Sequence, residues 1–529
     1  MGIHLHDGET TDDPRTLSGV TQTRRRIPLI SCALVLVVVS CGGGESAIES
    51  TTTSSLAATT TTVAEPSDPF STDKFLPPKI FWDDCGEGRD CGFIDVPVDY
   101  SDRDSATTSL YIVRHRALQP ESRIGVLLVN PGGPGFGGSY LAERASNVYD
   151  EDIVNSFDIV GWDPRGTGRS IPAIDCIDDY DEFYTGDDIT PDDEAERQAI
   201  LDSQEDFTQR CFDRSGTILP HSGTNNSARD MEMIRRALGE EQISYFGFSY
   251  GSELGAVWAT MYPNTVRAAV FDGAADPNVD NEEQIAKQHV GFESAITVFL
   301  KQCAEDSSCK FHNGGNAEAA FDELMLGLDE TPIPTVEGRP NLTRGMALTA
   351  VAQAMYSDEL WDALAGALTQ AQKGDGAAML EIFDSYFRRQ PDGTYSNEIE
   401  AFLNITCADN AERMTPEEAD AKAKLREGIA PRFSPGTSGD YSCTFWPAAI
   451  DPRLEIAATT ANPILVVGTT GDAATPIVGA RAMVEALGNA QLLVITADQH
   501  TGYGANWCAV KTISDYLVKL KVPEPDKQC

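Results

Sequence analysis

Seven short apolar runs, at residues 110–113, 125–129, 157–162, 243–248, 268–271, 464–467 and 492–495, constrain the fold of this chain more than any other feature. Several are continuously apolar rather than alternating, the pattern of strands buried on both faces. Helical segments lie between some of them, including 227–238 and 477–487, so a mostly parallel sheet with crossover helices, an α/β fold, is expected. The series breaks once, between Phe271 and Ile464. That gap carries helical periodicity: Ile285, Phe292, Ile296 and Phe299 fall on one face, and Leu360, Trp361, Leu364 and Leu368 fall on one face of another helix that ends near Gly374. Residues 277–455 therefore read as a helical cap inserted over one edge of the sheet, with core halves at 76–276 and 456–529. The 529 residues exceed one ordinary domain, and 41% apolar against 23% charged residues is enough to bury a large core.

The first 75 residues belong to neither half. Arg24, Arg25 and Arg26 precede an apolar stretch from 27 to 39, too short to span a bilayer, and Ser40-Cys41-Gly42 follows. Residues 1–40 are expected to be a signal peptide. Val38-Val39-Ser40-Cys41 resembles a bacterial lipobox, with Cys41 as the lipid attachment site. Leu29-Ile30-Ser31-Cys32 fits the same loose pattern, but cleavage there would cut the apolar stretch in two. Residues 41–75, Ser- and Thr-rich, read as a flexible tether.

Forty basic against 82 acidic residues give a net charge of -42, which would repel nucleic acid and anionic lipid. The only membrane contact expected is the N-terminal lipid anchor. Ten cysteines remain after Cys32 and Cys41, an even number in an exported chain, and they fall into neighbours: Cys85 with Cys91, Cys176 with Cys211, Cys303 with Cys309, Cys407 with Cys443, Cys508 with Cys529. No CxxC pair occurs and five histidines follow residue 40, so disulfides are expected rather than structural zinc.

Gly247-Phe248-Ser249-Tyr250-Gly251 matches G-x-S-x-G where a strand runs into a helical segment from 252 to 261, so Ser249 occupies a strand-to-helix turn. A serine hydroxyl needs a base to take its proton, and histidine titrates in the right range. Of the three histidines that follow, His289 lies on an apolar helix face and His312 in a loop after Cys309. His500 emerges after the last strand run, where open sheets place their chemistry. The acid that orients the base is assigned to Asp472, at the end of run 464–467; Asp272, at the end of run 268–271, is the rival, and Asp498 adjoins His500 too closely. For the developing oxyanion, one N–H is expected from Tyr250 and one from the loop Asn130-Pro131-Gly132-Gly133-Pro134-Gly135-Phe136-Gly137-Gly138, at Gly133 with Gly132 as the alternative. No Walker Lys-Ser/Thr follows that loop, and neither metal nor cofactor is expected.

These segments, with the stretch from Gly161-Trp162-Asp163-Pro164-Arg165 to Ser170, Asp272-Gly273, and Gly471-Asp472 followed by Thr475-Pro476, resemble the α/β-hydrolase branch of prolyl aminopeptidases and secreted tripeptidyl aminopeptidases. The similarity runs from about residue 80 to 529, and the stretch from about 430 resembles the C-terminal domain named after the tripeptidyl aminopeptidases. The resemblance implies an α/β-hydrolase fold and a triad of Ser249, Asp472 and His500. Asn130-Pro131 stands where prolyl aminopeptidases carry His, a departure shared with the tripeptidyl branch that tilts away from strict proline specificity. The implied function is an exported serine hydrolase, lipid-anchored outside the cell membrane or secreted, that releases short N-terminal peptides. A carboxylesterase acting on acyl esters or envelope lipids, or a non-catalytic binding lobe, are the alternatives.

Overall fold

Strands covered on both faces need apolar residues at every position, and all seven runs are strands. A computed structural model describes residues 71–185, 189–191, 193–436, 441–457 and 461–529. The signal peptide, Cys41 with its rival Cys32, and most of the tether lie outside these residues. The strands are β1 (Phe81–Gly86), β2 (Arg89–Pro97), β3 (Thr107–His115), β4 (Gly125–Asn130), β5 (Phe157–Trp162), β6 (Ile243–Phe248), β7 (Val266–Asp272), β8 (Ile464–Thr469), β9 (Ala490–Ile495) and β10 (Lys527–Gln528). They form one sheet in the order β1-β2-β3-β5-β4-β6-β7-β8-β9-β10. β1, β2 and β3 pair antiparallel, as do β3 and β5; from β5 to β10 every pairing is parallel.

Every residue of β4, β5, β6 and β8 is buried. Successive side chains point to opposite faces, so Leu128, Tyr245, Phe271 and Val466 join one apolar cluster, with Met231, Trp258 and Met483 from the helices Thr224–Leu238, Tyr250–Met261 and Ile477–Leu487. Leu127, Phe246, Val270 and Val467 join another on the opposite face, with Ile513 and Leu517 of the helix Trp507–Lys519.

Among the described residues, seven α-helices lie between β7 and β8: Asn281–Glu305, Ala317–Glu330, Arg344–Ala354, Trp361–Ala371, Ala377–Tyr386, Glu398–Asp409 and Pro416–Glu427. The first five bury their own cluster, in which Phe292, Ile296, Phe299, Leu364 and Leu368 take the inward positions that periodicity predicts. Leu360 departs from the pattern: it ends a 3-10 turn before its helix and is 37% exposed. A further helix, Glu194–Ser215, leaves the sheet between β5 and β6 and joins this layer, packing Ile200 and Leu201 against Ala419 and Tyr441. The five neighbouring cysteine pairs are disulfides, and Cys176–Cys211 and Cys407–Cys443 share one apolar cluster at that junction. Among the described residues no helix is long and apolar enough to cross a membrane.

Candidate active site

Ser249 directly follows β6 and caps the helix Tyr250–Met261 with φ 53° and ψ -127°, a backbone conformation costly for a residue with a Cβ. Neighbouring bonds hold it there. The Ser249 N–H donates to the Asp272 carbonyl at 2.8 Å, the Ser252 N–H to the Ser249 carbonyl at 2.8 Å, and the Tyr245 hydroxyl to the Gly251 carbonyl at 2.7 Å. The flanking glycines are required by space: a Cβ on Gly247 would stand 2.2 Å from the Gly251 carbonyl oxygen, and one on Gly251 would stand 2.9 Å from that of Asn130.

Asp472 and His500 come together from the ends of β8 and β9. His500 Nδ1 lies 2.9 Å from both Asp472 carboxylate oxygens, and both side chains are almost wholly buried. The Asp472 oxygens also accept the N–H groups of Ala474 (3.0 Å) and Thr475 (2.8 Å) and the Thr475 hydroxyl (2.9 Å), which fixes the carboxylate plane. On the other side of the imidazole, Nε2 is buried without a hydrogen-bond partner among the described residues. It is therefore available for one further partner, and catalytic hydrogen bonds of this kind often tighten only when substrate is bound. Gly273 (φ 71°) follows the Asp272 carbonyl that holds Ser249, and a Cβ there would stand 3.1 Å from His500 Cε1.

The competing groups are engaged elsewhere. Asp272 points to the chain beyond His500, accepting the N–H groups of Gly502 and Tyr503 at 2.7 Å each, and burial pushes its carboxyl up to about 6. Asp498 packs against Gly471, where a Cβ would meet its Oδ1 at 2.2 Å. His289 meets the Ser434 hydroxyl at 2.8 Å and the edge of Phe433, and burial pushes its imidazole down to about 4. His312 Nδ1 faces the Cys303 carbonyl at 3.0 Å.

The glycine-rich loop lies directly on the elbow: a Cβ on Gly132 would stand 2.4 Å from the Phe248 carbonyl oxygen and 3.0 Å from the Tyr250 nitrogen. The Gly132 N–H is committed to Asn130 Oδ1 at 2.9 Å. Asp163, just after β5, binds the loop from behind, accepting the Ser139 and Arg169 N–H groups at 3.0 and 2.9 Å. Gly137 and Gly168 make room for that carboxylate, since a Cβ on either would stand 2.6 Å from one of its oxygens.

Two contacts of the site have no counterpart in the sequence reading. Thr475 is one; its position three residues after Asp472 could have suggested it. Tyr356, from the helical insertion, is the other: its carbonyl accepts the His500 N–H at 2.8 Å and its ring meets the imidazole edge-on at 5.3 Å. Nothing local in the sequence marks it.

The fold and the site together define a class, the serine hydrolases of the α/β-hydrolase fold. A family model described as TAP-like protein matches residues 430–529. Over 460 residues the chain is 32% identical to the serine protease Hip1 of Mycobacterium tuberculosis, covering 84% of this chain and 87% of that protein. Carboxylesterase B of the same organism is 32% identical over 453 residues, 83% of this chain and 86% of its own. The tripeptidyl aminopeptidase of Streptomyces lividans is 28% identical over 471 residues, 85% and 86% of the two chains. The chain belongs to the tripeptidyl aminopeptidase-like family of α/β-hydrolases.

Proposed function

We propose that this chain is an exported aminopeptidase that releases short N-terminal peptides through an acyl-enzyme on Ser249. The observation that carries the reading is the strained Ser249 turn beside a buried Asp472–His500 pair at 2.9 Å. Ser249 Oγ attacks the scissile carbonyl while His500 Nε2 takes its proton, and Asp472 holds the Nδ1–H and stabilises the imidazolium. The negative oxygen of the tetrahedral adduct is met by the N–H groups of Tyr250 and Gly133; the prior engagement of the Gly132 N–H favours Gly133 over its neighbour. His500 then protonates the leaving amine, and water releases the acyl peptide by the same route in reverse.

Four things support a peptide substrate and export. Relatives are named serine protease and tripeptidyl aminopeptidase. A net charge of -42 favours approach of a substrate with a free α-ammonium group. Five disulfides suit an oxidising compartment. The sequence around Cys41 suits cleavage and lipid attachment, which would leave the enzyme tethered through residues 41–75 to the outer face of a bacterial cell membrane. In this reading residues 277–455 are the cap that selects the substrate between the core halves 76–276 and 456–529.

Carboxylesterase B, as similar as Hip1, favours a second reading as an esterase using the same triad. Peptide amides with free and N-acetylated termini, compared with simple acyl esters, separate the two. An aminopeptidase cleaves the acetylated peptide more slowly by roughly two to four orders of magnitude, the equivalent of about 3 to 5 kcal/mol for removing one member of a buried charge pair. Equal rates on both peptides with rapid ester turnover would establish the esterase instead.

A further inference from the structure

The residue that follows Ser249 is tied to the helical insertion by a chain of hydroxyls. Tyr250 is nearly buried, and its phenol oxygen is hydrogen-bonded to the Thr224 hydroxyl. The Thr224 hydroxyl in turn meets Asp409 Oδ2, while the Thr224 N–H donates to Asp409 Oδ1 at 2.6 Å. Thr224 opens the helix Thr224–Leu238, whereas Asp409 closes the insertion helix Glu398–Asp409. A hydroxyl has one proton to give. When Asp409 is ionised it can only accept, so Thr224 donates to Asp409 and Tyr250 donates to Thr224, and the carboxylate sets the direction of both bonds.

We propose that Asp409 is a positioning residue for the nucleophile elbow, acting through the hydroxyls of Thr224 and Tyr250. The inference rests on Ser249 being the nucleophile, as proposed above. A serine held at φ 53° stays there only if its surroundings over-determine it. The ties already described act on the backbone of β6, Ser249 and Gly251; the relay adds one from the insertion to the side chain of Tyr250, whose N–H faces the oxyanion. The carboxylate lies at an uncomfortable site for a charge. Its direct partners, the Thr224 N–H and hydroxyl, are neutral, and Arg453, the cation that favours its charge, is paired with Glu253 at 3.1 Å and donates to the Pro277 carbonyl at 3.0 Å. Burial accordingly pushes the Asp409 carboxyl up to about 7. Capping the helix Thr224–Leu238 explains the bond to the Thr224 N–H but not its extension to Tyr250.

The test compares the full chain with its Tyr250→Phe, Asp409→Asn and doubly substituted forms, read as kcat and KM on an acyl ester, on a peptide amide with a free N-terminus, and as the rate of Ser249 labelling by a fluorophosphonate. Tyr250→Phe preserves the ring, and Asn offers one acceptor oxygen where the carboxylate uses two. Each single change is expected to lower kcat and the labelling rate about tenfold with KM within twofold, a part of the ~10² that displacing a reacting group by about 1 Å costs. The double variant should be no slower than the slower single one, because both break one relay. Melting temperature reports folding separately. A Tyr250→Phe enzyme within twofold of the parent, or a double variant whose losses multiply, overturns the proposal. A rise in KM confined to the free-amine substrate on Asp409→Asn also overturns it, in favour of a direct substrate contact. Labelling that survives Ser249→Ala would instead remove the nucleophile assignment, and the inference with it.

Discussion

The sheet and the helical insertion contribute to the site in different ways. Ser249, Asp472 and His500 follow β6, β8 and β9, and the glycine-rich loop follows β4, so every group assigned to the chemistry stands at a strand's carboxyl end. The insertion supplies none of these groups but touches three of the loops that carry them and reaches the fourth through Thr224. Gln288 donates to the Ala474 carbonyl at 3.1 Å beside Asp472; Tyr356 accepts from His500; Asp409 reaches Tyr250 through Thr224; and the chain at Glu398 and Phe402 leaves a Gly135 Cβ only 2.4 and 2.6 Å of room. A lid hinged at one edge would brace one loop. This insertion reaches four, and so belongs to the framework that sets the geometry of the site.

The strongest way to break this division is on the sheet side. Ser249→Ala should reduce turnover by several orders of magnitude, with losses on the order of 10⁶ seen in comparable triads. Asp472→Asn should cost roughly 10⁴, the scale for an acid that fixes the histidine tautomer. Asp272→Asn should cost far less, since the Asp272 carboxylate accepts only from the chain beyond the histidine and its carbonyl bond to Ser249 is kept. Steady-state kinetics on one ester and one peptide amide measure all three. A larger loss at Asp272 than at Asp472 would exchange their roles.

The same division explains what could be read from the sequence. Runs 157–162 and 243–248 coincide with β5 and β6 because strands packed on both faces must be apolar throughout, and the pattern ends where burial ends. β1 and β2 escaped notice because they are antiparallel and outermost: β1 is exposed at almost every position, and β2 buries Ile94 and Val96 but interrupts the pattern with Asp95. Ser249, Asp472 and His500 stand out as candidates because each follows a strand run, and the structure brings Asp472 and His500 together at 2.9 Å. Asp409 does not stand out, for the chain holds 82 acidic residues and nothing local separates a carboxylate that ends in a hydroxyl relay from one that faces water. The helix Glu194–Ser215 was missed as part of the helical layer because its partners, Ala419 and Tyr441, lie more than two hundred residues away.

A pH experiment tests whether the insertion's carboxylate is as buried as the relay requires. Burial pushes Asp409 from 3.8 up to about 7 and Asp272 up to about 6. Both therefore bind a proton more readily folded than unfolded. The stability they contribute is full below the ordinary carboxylate range and is lost as pH rises through about 6 to 7. Asp409→Asn removes one share, so the stability difference between parent and variant should swing toward the variant between pH 5 and pH 8, by roughly 3 kcal/mol at most. Melts at the two pH values measure it, and a constant difference would mean that Asp409 does not titrate in this window.

The disulfides differ in loop length even within the insertion. Cys407–Cys443 and Cys176–Cys211, 36 and 35 residues apart, meet where the helix Glu194–Ser215 joins the insertion, whereas Cys303–Cys309 closes a loop between residues only 6 apart. Loop-closure entropy assigns about 4 kcal/mol to either long bridge and about 2.4 to the short one. Replacing each pair by alanine and following denaturant midpoints should reproduce that order. If the short bridge proves the costlier loss, chain entropy is not what these bonds mainly supply.

The finest test of the bracing role uses two glycines on insertion helices. Glycine within a helix costs up to about 1 kcal/mol relative to alanine, so both positions need a reason. Gly291, in the helix Asn281–Glu305, has one: a Cβ there would stand 2.2 Å from the Ala473 carbonyl oxygen and 2.8 Å from the Pro476 ring, on the loop that holds Asp472. Gly327, in the helix Ala317–Glu330, is exposed and would place a Cβ in open space. Gly327→Ala should therefore gain a few tenths to about 1 kcal/mol with activity unchanged. Gly291→Ala gains the same helix preference but must push a backbone carbonyl aside, for a net loss of about 1 to 3 kcal/mol. Because the displaced segment begins one residue after Asp472, kcat should fall several-fold as well, a coupling that overpacking remote from the site would not produce. Equal behaviour of the two variants in melting and turnover would mean that the helix only rests near the Asp472 loop and does not set its position.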